Sequence, residues 1–154
     1  MSNGLVVVAV LTLAVLMAAG LAPAAATARV AVTSNTAPVA PVDLLSHGQV
    51  CGTGTARPTL ATLRPVLAGT QSDPDVGQQE LTTWFYWWLA SGSRNETDKL
   101  AQASGNPSIV SAQIPVGRLT DGQIYVWQAR THDGSAYGSW SVTCEFRVQL
   151  TSVR

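Results

Sequence analysis

Two cysteines, three aspartates set in turn-forming sequence and one dense run of aromatic residues are the places where this sequence can do chemistry. Cys51 and Cys144 are its only thiols. In an oxidising compartment they read as one disulfide closing a loop of about 90 residues, with two buried thiols as the alternative. Asp73 and Asp75 flank Pro74, and Asp133 precedes Gly134. Carboxylates gathered from such loops can hold a hard cation such as Ca2+. The same residues are ordinary turn formers whose side chains bond their own backbone. His47 and His132 are the only histidines, and no Ser or Cys stands in a nucleophile motif, so the chain is not read as an enzyme.

The aromatic run is Leu81–Leu89, which reads Leu-Thr-Thr-Trp-Phe-Tyr-Trp-Trp-Leu. As a strand it turns Leu81, Thr83, Phe85, Trp87 and Leu89 to one side and Thr82, Trp84, Tyr86 and Trp88 to the other. The first set starts and ends on Leu and is assigned to the core. The second is then an outward row of rings, with Cα atoms roughly 6.5–7 Å apart.

Those side chains need elements to hold them. Charged residues are 12% of the 154, and the formal net charge is zero. Such a balance gives no electrostatic reason to expect nucleic acid or an acidic membrane as a partner. Everything before Arg29 is uncharged. Leu5 to Ala26 is apolar, is interrupted by Gly20 and Pro23, and runs into Ala24-Ala25-Ala26-Thr27-Ala28. That pattern is a helical signal segment, residues 1–28, cleaved after Ala28 or after Ala26. An uncleaved membrane anchor is the alternative, since the stretch is about long enough to span a bilayer. After cleavage nothing ties the chain to a membrane, and it is read as secreted.

Residues 29–49 read as an extended linker and a first edge strand near Val42–Leu45, and residues 50–152 as one domain. Short strands follow at intervals of about ten residues: Val66–Ser72, Leu81–Leu89, Ile109–Ile114, Ile124–Thr131 and Ser141–Leu150. Gly, Pro and Asp stand between them. Residues 93–107 are polar and read as loop, with at most a short helical turn at Lys99–Ala103. The pattern is all-β, an antiparallel two-sheet sandwich of about seven strands.

Several short motifs stand in order along the chain. They are Arg64-Pro65-Val66-Leu67, Ser72-Asp73-Pro74-Asp75, Trp87-Trp88, Asp121-Gly122-Gln123-Ile124-Tyr125-Val126-Trp127, Asp133-Gly134, Ser139-Trp140-Ser141 and Cys144-Glu145-Phe146. This progression resembles the fibronectin type III-like or immunoglobulin-like repeats of secreted actinobacterial proteins, over about residues 50–150. Val76 stands where those repeats carry Gly, and Thr143 where an aromatic usually precedes the last Cys. The resemblance implies a secreted, non-catalytic sandwich and leaves the ligand open. It places Phe85, Trp87, Tyr125, Trp127 and Phe146 in the core, with Trp87 against the disulfide and Tyr125 at a tyrosine corner.

In such a layout Val126, Gln128 and Arg130 share the outward face with Trp84, Tyr86 and Trp88, and Glu145 and Arg147 follow on the strand beyond. Flat rings beside hydrogen-bonding groups suit an extracellular carbohydrate or a protein partner. Alternatively the stems of Arg130 and Arg147 cover the rings, or the face joins two copies in a weak homo-oligomer. Asp73, Asp75 and Asp133 fall at one end of the sandwich and are the candidate Ca2+ ligands. The function read from the residues is therefore a secreted binding or structural accessory module. A small secreted enzyme or inhibitor acting through loops 73–80 and 131–139 is the alternative.

Overall fold

The computed structural model describes residues 34–150 apart from Gln79 and Glu96. The signal segment and its Ala28 position lie outside the described residues. Among the described residues the strands are β1 (Val42–Ser46), β2 (Gln49–Val50), β3 (Thr59–Leu60), β4 (Val66–Gln71), β5 (Glu80–Leu89), β6 (Lys99–Gly105), β7 (Ser108–Gln113), β8 (Ile124–His132) and β9 (Cys144–Val148). A 3₁₀ turn at Gly54–Ala56 is the helical element among them. No helix of the described residues is long and apolar enough to cross a membrane.

The strands form a β-sandwich of two sheets, ordered β2-β1-β4-β7 and β3-β9-β8-β5-β6. Alternation along each strand builds the layer between them. Every second residue of β4, β8 and β9 is buried. Leu44, Leu67 and Val110 meet Phe85, Trp87, Tyr125, Trp127 and Phe146 across the gap. Ser46 of β1 accepts a 2.9 Å hydrogen bond from the Trp127 indole N–H, so the largest buried side chain is satisfied by the opposite sheet. The Tyr125 hydroxyl accepts the Thr120 backbone N–H at 2.9 Å and ties the corner before β8.

A second inter-sheet tie is wholly polar. Gln71 of β4 is buried, and its amide donates to the carbonyls of Leu81, Ser104 and Gly105 and to the Ser108 hydroxyl. Its own oxygen accepts from Thr83 at 2.7 Å, and the hydroxyls of Thr83 and Thr131 lie 2.8 Å apart. Polar groups this deep persist because each has a partner.

Cys51 and Cys144 form the disulfide, with Cα atoms 5.2 Å apart. It joins the chain after β2, in one sheet, to the start of β9 in the other. The residue opposite Cys144 is Trp127, not Trp87, which lies one strand farther away.

Six other expectations change. Residues 99–105 are the strand β6, paired with β5 in unbroken register. Their Ala, Gln, Ser and Gly side chains carry no alternation because an edge strand is held by its backbone ladder. The first strand is not an edge, since β2 pairs on its outer side. Residues 35–39, expected as extended linker, are tied to the domain: Val39 N–H donates to Ser72 C=O, Thr36 N–H to the Asp75 carboxylate and the Asn35 amide to Asp133. The last strand is only Cys144–Val148, and Leu89 of β5 is exposed. Finally, β3 pairs with β9 in parallel, in a sandwich otherwise antiparallel. Glu145 sets that pairing by accepting the Gly54 N–H and the Arg57 Nε, which draws the crossing segment onto the β9 edge.

Candidate functional site

The outward row of β5 lies on the five-stranded sheet's outer face, between β8 and the edge strand β6. One outward position of β5 is buried: Tyr86 is 1% exposed although it points away from the core. What buries it is the segment after β8. Asp133 begins that segment by accepting the backbone N–H groups of Ser135 and Ala136, with Gly134 at φ 96° completing the turn. The chain then returns alongside β8, with Gly138 N–H donating to Thr131 C=O and Ser141 N–H to Ala129 C=O. This carries Trp140 over the face, edge-on to Tyr86 with ring centroids 5.0 Å apart.

Cations fill the spaces between rings. The Arg94 guanidinium lies 3.8 Å from the Trp140 ring centre, and that of Arg130 lies 4.4 Å from Trp140 and 4.1 Å from Tyr137. His132 packs on Tyr137 at 4.3 Å. The Lys99 ammonium lies 5.1 Å from Trp84 and 5.5 Å from Tyr86. Arg94 also donates to the Gln128 carbonyl at 2.9 Å, while the Gln128 amide donates to Ser141 C=O and the Thr143 hydroxyl. Cation–π contacts of this kind contribute about 0.5–2 kcal/mol each, most where water is excluded.

The six residues expected on this face therefore divide. Trp84 and Trp88 stand half-buried. Tyr86 is covered, Gln128 is engaged on both ends of its amide, and Arg130 is stacked. Arg147 is not over the rings, because its register partners are Ile124 and Thr59 at the far end of the sheet. Arg94, Lys99, Tyr137 and Trp140 complete the face. Ser139-Trp140-Ser141 was the visible signal for Trp140, but nothing in the sequence pairs it with Tyr86.

Trp88 opens into a hollow of about 350 Å3 that is also lined by Asn95, Asp98 and Arg118. Arg118 and Asp98 lie 3.4 Å apart, and the Asn95 carbonyl accepts the Thr97 and Asp98 N–H groups. An indole, an amide, a carboxylate and a guanidinium thus share one opening.

The three aspartates do not gather into a cation site, and no cluster of three metal-ligating side chains occurs among the described residues. Asp73 caps its own turn by accepting the Asp75 N–H. Asp75 and Asp133 hold residues 36 and 35. Burial alone would raise the Asp133 carboxyl, but hydrogen bonds from Ala136, Asn35 and Ser135, with His132 beside it, outweigh burial and hold it below its ordinary value. Glu145 is also held low, first by the Arg57 hydrogen bond and then by the Gly54 N–H.

Fold and site together define a class: a disulfide-closed β-sandwich with one laminated aromatic and cationic face. No family model and no curated protein matches the chain. Among solved structures it is similar to the sensor domain of the anti-sigma factor RsgI4 from Pseudobacteroides cellulosolvens, at 14% identity and a TM-score of 0.39. The match covers 71% of this chain and 97% of that one. Identity and score at that level carry neither a fold nor a function across.

Proposed function

We propose that this chain is an exported, non-catalytic binding module of the fibronectin type III-like kind, contacting an extracellular polysaccharide through Trp88, with Trp84 farther along the same strand. The observation that carries the reading is the hollow at Trp88. A half-buried indole offers a flat apolar surface to a sugar ring, and Asn95, Asp98 and Arg118 offer the planar hydrogen-bonding groups that suit ring hydroxyls. Stacked cations stiffen the surrounding face, so little side-chain order is lost on contact. Export is supported by the Cys51–Cys144 bridge, which persists in oxidising compartments, and by the apolar leader. The two-sheet layout and the Tyr125 corner support the fold type. The enzyme or inhibitor reading draws no such support, since Asp75 and Asp133 are committed to holding residues 36 and 35.

The test is co-sedimentation with insoluble bacterial cell-wall and plant polysaccharides, using the native protein and Trp88→Ala. Binding by the native protein that falls at least tenfold in the variant, at an unchanged melting temperature, is the expected result. Native protein that binds none of these polymers, or a variant that binds equally well, refutes the proposal.

A further inference from the structure

The two long edges of the sandwich lie on the same flank. β6 ends the five-stranded sheet and β7 ends the four-stranded sheet, and residues 106 and 107 join them. The opposite edges, β2 and β3, are two residues each. Short edges resist pairing with another chain, whereas β6 and β7 are seven and six residues long. Both keep an unbroken register with their inner neighbours, so no bulge twists them away. Neither carries an internal proline, and β7 carries no charge. The one charge on β6 is Lys99, whose ammonium is turned onto the Trp84 and Tyr86 rings. Ala101, Gln102 and Ala103 are exposed, as is Ile109 of β7. The usual protections of a natural edge are missing here.

We infer that this flank is where a second copy of the chain docks, by antiparallel β6-to-β6 pairing that continues the five-stranded sheet. Trp87 N–H donates to Asp98 C=O, which sets the phase of the ladder. Leu100, Gln102 and Ser104 then direct their backbone groups toward β5, and Ala101 and Ala103 direct theirs outward. A two-fold axis through Gln102 places Ala101 of one copy opposite Ala103 of the other, twice over. Those are the pairs whose outward N–H and C=O groups can exchange hydrogen bonds. The same axis sets Leu100 against Ser104 and Lys99 against Gly105, so no like charges face each other. Small side chains let the two backbones approach. A formal net charge of zero leaves no long-range repulsion between copies. One edge pairing buries less than a standard stable interface, so the dimer is weak, with a dissociation constant of roughly 10 µM to 1 mM.

Sedimentation velocity over that concentration range tests the inference on the protein as exported. The expected result is a mass rising toward two copies, with the Ala101 and Ala103 amides gaining hydrogen-exchange protection as concentration rises. Ala101→Lys and Ala103→Pro are expected to weaken association at least tenfold at an unchanged melting temperature. Ala101→Lys keeps every backbone donor, so it answers if the proline variant fails to fold. A monomer at every concentration overturns the inference. So does association that survives Ala101→Lys, or that is lost instead in Trp84→Ser, which would put the contact on the aromatic face.

Discussion

Removing the Cys51–Cys144 bridge, by reduction or by replacing both residues with Ala, releases a constraint that spans most of the described fold. The two cysteines are 93 residues apart. Chain-entropy reasoning for a loop of that size gives about 4.6 kcal/mol at 25 °C, an upper value because residual structure in the unfolded chain reduces it. The roughly 115 described residues carry an unfolding entropy of roughly 0.24 kcal/mol/K, so the melting temperature should fall by up to about 19 °C. A fall of at least about 10 °C is expected once unfolded-state compaction is allowed for. The assay is thermal unfolding followed by far-UV circular dichroism, with and without a phosphine reductant, after thiol titration confirms complete reduction. Reduced protein and double variant should agree closely. A fall of less than about 5 °C with both thiols titratable would refute the reasoning, because the β1 to β3 segment would then be held by its hydrogen bonds alone.

Three further outcomes follow from other contacts. Gln71→Leu removes the buried amide that donates to the Leu81, Ser104 and Gly105 carbonyls and accepts from the Thr83 hydroxyl, and should lower the denaturant-derived stability by about 1–3 kcal/mol. Trp140→Ala uncovers Tyr86 and unstacks Arg94 and Arg130; it should cost about 2–4 kcal/mol and change the near-UV dichroism, while Arg94→Ala alone should cost under about 1.5 kcal/mol. Asp133 and Glu145 have carboxyls lowered from ordinary values of 3.8 and 4.5. A carboxyl lowered by folding contributes stability that is fully present above its unfolded value and is lost as pH falls through its folded value. Melting temperature should therefore be flat with respect to these two groups above about pH 5 and fall below it, and Glu145→Gln should reduce that slope.

The turn residues and period-two burial of β4, β5, β8 and β9 were legible because both are local properties. A strand facing a core must alternate, and a chain reversing direction needs Gly, Pro or Asp. The disulfide was legible because two cysteines allow only one pairing. β6 was not legible, because an edge strand of small polar residues is held by a ladder that its side chains do not announce. The parallel β3 to β9 pairing depends on Glu145 gripping Gly54 and Arg57 from about 90 residues away, which no local pattern encodes.

The outward row Trp84, Tyr86 and Trp88 shows the division most clearly. That these three rings share one face is already readable from strand geometry. Which of them meets solvent depends on the packing around them. The return of residues 137–141 along β8 lays Trp140 over Tyr86, with Arg94 and Arg130 stacked on Trp140 and Tyr137 on Arg130. The covered centre is therefore structural, and Trp84 and Trp88 stay available at either side. Exposure depends on what the rest of the chain brings against a residue, and that is a property of the packed fold.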